Sequence, residues 1–298
     1  MSLASRFRGI VPAVATPFDT DQNVDLSRLS ILIEDYVAAG VHGISVAGSQ
    51  GEFFALTDAE RIAVIETAVR AVDGRVPLYV GSGGISTAGS IALTQAAEAA
   101  SADVAMLITP YFISPTADEV VDHFQTIARA TALPILIYSN PPRTHLDVAP
   151  DSFRRMAEVD NIIGIKDSSG DMTQMIEYLR VTDGEKLVFA GRDTLIQASL
   201  QQGITGAISP GANVFPSAFV QLHDLVTAGE HDRARALSNL LAPLRVAWSL
   251  GSFPVVIKEA MALVGRGAGS ARKPIHPLTP ENRAKLRTII ERIQHDLR

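Results

Sequence analysis

The chain has 298 residues, 47% of them apolar and 19% charged, with a net charge of −6 and a pI near 5.6. Those values exclude a disordered chain and give no overall field that would draw a nucleic acid or an anionic membrane, so a small-molecule ligand is expected. With no cysteine there is neither a disulfide framework nor a thiolate nucleophile, and any covalent chemistry must use another residue type.

The first nine residues carry Arg6 and Arg8 but no long apolar core, and no later apolar run approaches the roughly 18 residues of a membrane span. A soluble, cytoplasmic protein is expected. Eight segments rich in Val, Ile and Leu then recur at 10–18, 43–47, 77–81, 104–109, 134–138, 162–166, 186–190 and 203–209. They are mostly continuous apolar runs, the pattern of strands buried on both faces. Amphipathic stretches lie between them. Asp25 precedes Leu26, Leu29, Ile33 and Val37, and Thr57 with Glu60 and Thr116 with Glu119 have the spacing of capping boxes.

After the eighth run the chain reads as helices at 216–228, 231–249, 253–264 and 279–297, the last with Thr279 as cap and Pro280 in its first turn. The glycine-rich stretch 265–270 reads as a flexible break. Strand and helix alternate, which predicts an α/β protein, a (β/α)8 TIM barrel over residues 1–225, with a C-terminal helical extension, 226–298, packed on it. A doubly wound open sheet is the alternative fold.

In such barrels the chemistry sits at the C-terminal ends of the strands. The sixth run ends in Gly164-Ile165-Lys166-Asp167, and a lysine at the end of a buried strand can supply the amine that attacks a carbonyl. Position alone leaves open whether Lys166 instead snorkels from the rim or pairs with Asp167. The fifth run ends at Tyr138, a candidate proton relay or a plain rim aromatic, and Pro142-Arg143-Thr144 follows, with Arg143 either a carboxylate clamp or an ordinary surface cation. After the second run, Gly48-Ser49-Gln50-Gly51-Glu52 could form an anion nest from consecutive amides or a simple turn using glycine for positive φ. Gly81-Ser82-Gly83-Gly84 lacks the residues of a phosphate loop. The seven histidines form no close sequence pair, and no metal is expected.

Taken together, Gly48-Ser49-Gln50-Gly51-Glu52, Tyr138 with Pro142-Arg143-Thr144, and Gly164-Ile165-Lys166-Asp167 resemble the dihydrodipicolinate synthase / N-acetylneuraminate lyase family, and the intervals between them match as well. The likeness runs from about Phe7 into the C-terminal helices. It implies a class I lyase in which Lys166 forms a Schiff base with pyruvate or another 2-oxo acid, with no cofactor and no metal. It further implies Tyr138 as proton relay, Ser49 as its partner, and the amides of Ser49 and Gln50 as the carboxylate site. The backbone of Ile208 matches a further pyruvate contact, and Gly191 and Asp193 match the region facing the second substrate. The resemblance also implies a homotetramer built as a dimer of dimers, while the net charge and the apolar runs already give the expectation of no nucleic-acid and no membrane partner.

Departures from the family pattern bear on the second substrate. Phe112 stands where the synthases carry a tyrosine that reaches across a subunit interface, Gln50 replaces a common threonine, and His145 replaces a glycine. Arg143, which in the synthases faces the carboxylate of aspartate semialdehyde, is present. Phe112 and Gln50 tilt the expectation toward a 4-hydroxy-2-oxoglutarate or 2-keto-3-deoxy sugar-acid aldolase joining or cleaving pyruvate and a carboxylate-bearing aldehyde. The alternatives are 4-hydroxy-tetrahydrodipicolinate synthase, a 2-keto-3-deoxy sugar-acid dehydratase, and a non-catalytic 2-oxo-acid sensor.

Overall fold

Continuous apolar runs mark the strands because each strand is buried along its whole length. The computed structural model describes residues 3–298. Its strands are β1 Gly9–Pro12, β2 Ile44–Val46, β3 Leu78–Gly81, β4 Val104–Ile108, β5 Ile135–Ser139, β6 Ile162–Asp167, β7 Leu187–Ala190 and β8 Gly206–Ser209. All are parallel, and each pairs with its neighbour in chain order, while β8 pairs with β1. The ring is completed between β1 and β2 by the Ala13–Ser45 bridge, with the Val14 amide donating to Ser45 O at 2.8 Å and the His42 amide to Ile10 O at 2.9 Å. The result is a (β/α)8 barrel.

The helices are α1 Leu26–Ala38, α2 Asp58–Val72, α3 Thr87–Ala99, α4 Ala117–Arg129, α5 Pro150–Met156, α6 Met172–Val181, α7 Ile196–Gln201 and α8 Pro216–Thr227, followed by α9 His231–Val246, α10 Val255–Leu263 and α11 Pro280–Asp296. Their starts follow from side-chain caps. Asp25 accepts from the Arg28 amide, Thr279 accepts from the Asn282 amide, and both expected capping boxes, Thr57 with Glu60 and Thr116 with Glu119, are formed. No helix among the described residues is long and apolar enough to cross a membrane.

The core has two shells. The larger lies between strands and helices. The smaller fills the barrel itself with Phe7, Val11, Tyr79, Val104, Leu136, Ile163 and Phe189. Tyr79 meets Phe7 and Phe189 edge-on, at 6.1 and 5.9 Å between centroids. Each such side chain contributes roughly 1.5–3 kcal/mol by burial. This plug seals the N-terminal end, so open space is left at the C-terminal end of the strands.

Two segments differ from the sequence reading. The first run was expected to be extended over 10–18, but β1 stops at Pro12 because the next residues close the barrel: the Ala13 amide donates to Ser209 O at 2.9 Å, and Phe18 turns back to bridge Val24. The stretch 265–270, expected to be a flexible break, carries no helix or strand, but its middle is held against the barrel. Ala268 is fully buried and its carbonyl accepts from the Phe18 amide at 3.2 Å. Gly269, at φ 67°, lies so close that a Cβ would stand 2.0 Å from Phe18 O, so only glycine fits.

Candidate active site

Parallel register places Lys166 on β6 directly beside Tyr138 on β5, both at the open end of the barrel. On the other side of β6, Gly164 lets β7 pack close, since a Cβ there would lie 2.2 Å from Leu187 O. Lys166 is 5% exposed, and its Nζ lies 3.9 Å from the centroid of the Tyr138 ring. The Asn140 side-chain Nδ2 donates to the Tyr138 hydroxyl oxygen at 2.7 Å. Burial alone would raise the Tyr138 pKa, but the Lys166 charge and the hydrogen-bonding groups of Ser49, Ser168 and Asn140 outweigh it and hold the phenol below its ordinary value. The Ser49 hydroxyl is itself buried and has no hydrogen bond of good geometry; the Tyr138 oxygen is the polar group it faces.

Of the two readings of the loop after β2, the turn that uses glycine for positive φ is not the one formed. Positive φ falls on Ala47 (53°) and Glu52 (57°), not on Gly48 or Gly51. The two glycines sit in close contact: a Cβ on Gly51 would lie 3.1 Å from Val14 O, and one on Gly48 would lie 3.2 Å from Met106 Cε, the yielding end of a methionine. Gly81 serves the same loop, since a Cβ there would lie 2.1 Å from Ala47 O. The turn closes through the Glu52 amide to Ser49 O and the Phe53 amide to Gly48 O, at 3.1 and 3.3 Å. The amides of Ser49 and Gln50 donate to no acceptor among the described residues, which leaves them for an anion. The Gln50 side chain turns away, its Nε2 reaching Pro254 O at 3.4 Å.

A cavity of about 240 Å³ opens over these groups, lined among others by Ser49, Gln50, Tyr138, Lys166, Arg143 and Gly191. Gly191 must be glycine, because a Cβ would collide with Ser168 Oγ at 1.9 Å. Two expected site residues do not line the cavity. The Ile208 side chain belongs to the barrel interior, and Asp193 is turned inward, accepting from Ser209 Oγ at 2.6 Å and the Gly211 amide at 3.2 Å. Burial raises the Asp193 pKa despite these donors.

The sequence reading missed other lining residues. Asn140, Ser168 and Arg192 follow strand ends and were open to the same rule that found Lys166. Arg245, Trp248 and Phe253 come from α9 and the turn after it, which had been read only as a packed extension. The Arg143 guanidinium lies over the Phe253 ring at 4.4 Å, and that of Arg245 over the Trp248 ring at 3.7 Å. No carboxylate lines the cavity among the described residues, while Lys166, Arg143, Arg192 and Arg245 all do. His145, at φ 55°, ends the turn Pro141–Thr144 in the left-handed region, which explains why glycine suits that place.

Behind the loop, Glu52 is locked to the C-terminal helices. Lys258 Nζ lies 2.6 Å from Glu52 Oε1, and Glu52 Oε2 accepts from the Arg272 amide at 2.9 Å. Lys258 also donates to Ser270 O at 3.1 Å. Burial pushes its pKa down to about 8 against the opposing charge of Glu52.

The fold also joins histidines that the sequence kept apart. His42 and His223 meet in a tilted contact, 4.6 Å between ring centroids, near the start of β1, and with Asp224 they bring three possible ligand atoms within 4.8 Å of one another. His42 Nδ1 accepts from the Ile10 amide at 3.1 Å, so in the neutral ring the other nitrogen carries the proton and is a donor, a poor arrangement for a metal.

A sequence model described as the Dihydrodipicolinate synthetase family matches residues 6–293. The 4-hydroxy-tetrahydrodipicolinate synthase of Methanothrix thermoacetophila is 36% identical over 288 residues, covering 96% of this chain and 97% of its own. Among solved structures, the chloride-inhibited dihydrodipicolinate synthase of Acinetobacter baumannii complexed with pyruvate superposes with a TM-score of 0.93 at 32% identity, over 96% of this chain and 99% of that one. YagE, a prophage protein of the dihydrodipicolinic acid synthase family from E. coli K12 in complex with pyruvate, gives a TM-score of 0.93 at 32% identity, over 97% and 99%.

Proposed function

The chain belongs to the dihydrodipicolinate synthetase family, and from that membership we propose that this lysine Schiff-base lyase uses Lys166 to activate pyruvate for addition to an aldehyde. The observation that carries the assignment is Lys166 Nζ set 3.9 Å from the Tyr138 ring centroid, beneath a cavity that also holds the free amides of Ser49 and Gln50.

In this reading the pyruvate carboxylate takes the two amides and its ketone carbon meets the Lys166 amine. The amine adds, water leaves, and an iminium forms. Tyr138 removes a proton from the methyl carbon, the electron pair moves into the iminium, and the resulting enamine forms a carbon–carbon bond to the aldehyde. A proton from Tyr138 neutralises the new alkoxide, and hydrolysis or displacement by an amine frees Lys166. Ser49 is the hydroxyl placed to pass protons to and from Tyr138.

We propose aspartate semialdehyde as the acceptor, which makes the protein a 4-hydroxy-tetrahydrodipicolinate synthase. The names of its curated relatives support this over the aldolase reading that the sequence favoured, and Arg143 at the cavity wall suits the acceptor carboxylate. The aldolase reading stays as the second, because Phe112 has no hydroxyl to extend the relay and Gln50 is directed to Pro254. A cytoplasmic homotetramer is proposed with it, since Phe112 stands 95% exposed at φ 71°, as a residue covered by a second subunit would.

The test is intact mass after incubation with pyruvate and borohydride, followed by turnover with aspartate semialdehyde, glyoxylate and glyceraldehyde. A reduced adduct that is lost in Lys166→Ala, with fastest turnover of aspartate semialdehyde, is the expected result. No adduct rejects the imine; faster turnover of glyoxylate or glyceraldehyde moves the assignment to the aldolases.

A further inference from the structure

The mouth of the cavity holds more positive charge than pyruvate and one clamp need. Arg143, Arg192 and Arg245 all line it, in a chain whose net charge is −6. Arg192 is engaged, its Nε donating to Ser168 O at 3.1 Å. The Arg245 guanidinium makes no ion pair and no hydrogen bond among the described residues. The carboxylate it feels is Asp193, whose oxygens are already taken by Ser209 and Gly211. Burial presses the Arg245 pKa down, and the charges of Arg192 and Arg143 add to that, with Asp193 opposing them.

A half-buried guanidinium without a partner is costly unless a ligand supplies the anion. Here it is also held in place: the Arg245 guanidinium lies 3.7 Å over the Trp248 ring, and Trp248 packs on Phe253 at 5.9 Å, beneath Arg143. The Trp248 indole N–H is buried and donates to nothing among the described residues. A second hollow of about 280 Å³ adjoins the first and shares Gln50, Arg143, Arg245, Trp248 and Phe253 with it. The two stacked arginines therefore stand where a ligand longer than pyruvate would extend.

We propose that Arg245, seated on Trp248 and flanked by Arg192, is a second binding residue for the anionic group of the acceptor, so that a carboxylate-bearing aldehyde is held by two guanidiniums and not by Arg143 alone. The identity of that ligand rests on the Schiff-base reading above; the anion site itself does not.

Trp248 is the only tryptophan in the chain, so its emission reports on this place directly. Sodium sulfate is titrated into the full-length protein at constant ionic strength set with chloride. A saturable change in emission that is absent from Arg245→Gln is expected. In turnover, Arg245→Gln should raise KM for an acidic acceptor by about tenfold or more, as loss of one charge-assisted contact implies, with Arg245→Lys recovering part of it. KM for pyruvate and for glyceraldehyde should not move. A sulfate response unchanged in Arg245→Gln, or equal effects on acidic and neutral acceptors, overturns the proposal. If Arg245→Gln does not fold, Arg192→Gln and the wild-type titration decide it, and a wild type whose emission ignores sulfate counts against it. Absence of a pyruvate adduct would reject the Schiff-base reading while leaving the sulfate titration to stand or fall by itself.

Discussion

Lys258 and Glu52 form an ion pair at 2.6 Å in which neither side chain is more than 1% exposed. Glu52 closes the loop that presents Ser49 and Gln50, and Lys258 lies on α10, so the pair fixes that loop to the C-terminal helices. The Glu52 backbone is left-handed, at φ 57°, and the contacts of its carboxylate to Lys258 and the Arg272 amide keep it there.

Breaking that pair from one side leaves a buried charge alone. Lys258→Met should lower stability by about 3–5 kcal/mol, and adding Glu52→Gln should recover part of the loss, because the stranded carboxylate is then removed. Urea unfolding of the single and double variants measures both. A double variant no more stable than Lys258→Met would show that the pair does not act as a unit.

Tyr138→Phe keeps the ring beside Lys166 but removes the hydroxyl. Turnover should fall by about a hundredfold or more, in line with loss of a general acid–base group, while pyruvate can still be trapped on Lys166 by borohydride. Comparison of kcat with the single-turnover trapping yield separates the two steps. Unchanged kcat would remove Tyr138 from the proton path.

Glu60 gives a pH signature. Hydrogen bonding to Arg272, chiefly, holds its carboxyl down from 4.5 to about 2. A carboxylate whose folded pKa is depressed contributes stability that is complete above its unfolded value and is lost as pH falls toward the folded one. Wild-type Tm should therefore drop between about pH 4.5 and 2 by more than that of Glu60→Gln, measured by calorimetry across that window. Parallel curves for the two proteins would contradict the assignment.

Phe112 should lie in a subunit contact. Phe112→Asp is expected to shift the sedimentation coefficient to a smaller species at micromolar concentration, since a charge would have to be buried there. If the wild type sediments as a monomer, the proposed tetramer is wrong.

Much of this was legible because buried parallel strands write themselves as unbroken apolar runs, and because residues that end such runs, like Lys166 and Tyr138, are placed by register alone. Capping at Thr57 and Thr116 was equally local. What escaped was long-range. Arg245, Trp248 and Phe253 lie at the end of α9 and in the turn after it, where local sequence says nothing of which wall they complete. His42 and His223 meet through the closing of the ring, over a separation no motif spans. At Gly48 to Gly51 the sequence left an anion nest and a positive-φ glycine turn both open, and contacts across the barrel mouth separate them: the glycines face Val14, Thr16 and Met106, and the positive φ angles fall on Ala47 and Glu52.

The origin of Arg245, Trp248 and Phe253 outside the eight strands has an evolutionary reading. Lys166 and Tyr138 are placed by strand register, whereas the short stretch at 245–253 lies outside the strands and can change without moving either group. Descendants of one ancestor could thus exchange one aldehyde for another by altering that stretch while inheriting the same imine chemistry intact. Transplanting 245–253 between relatives of different preference is then a compact way to rewrite selectivity.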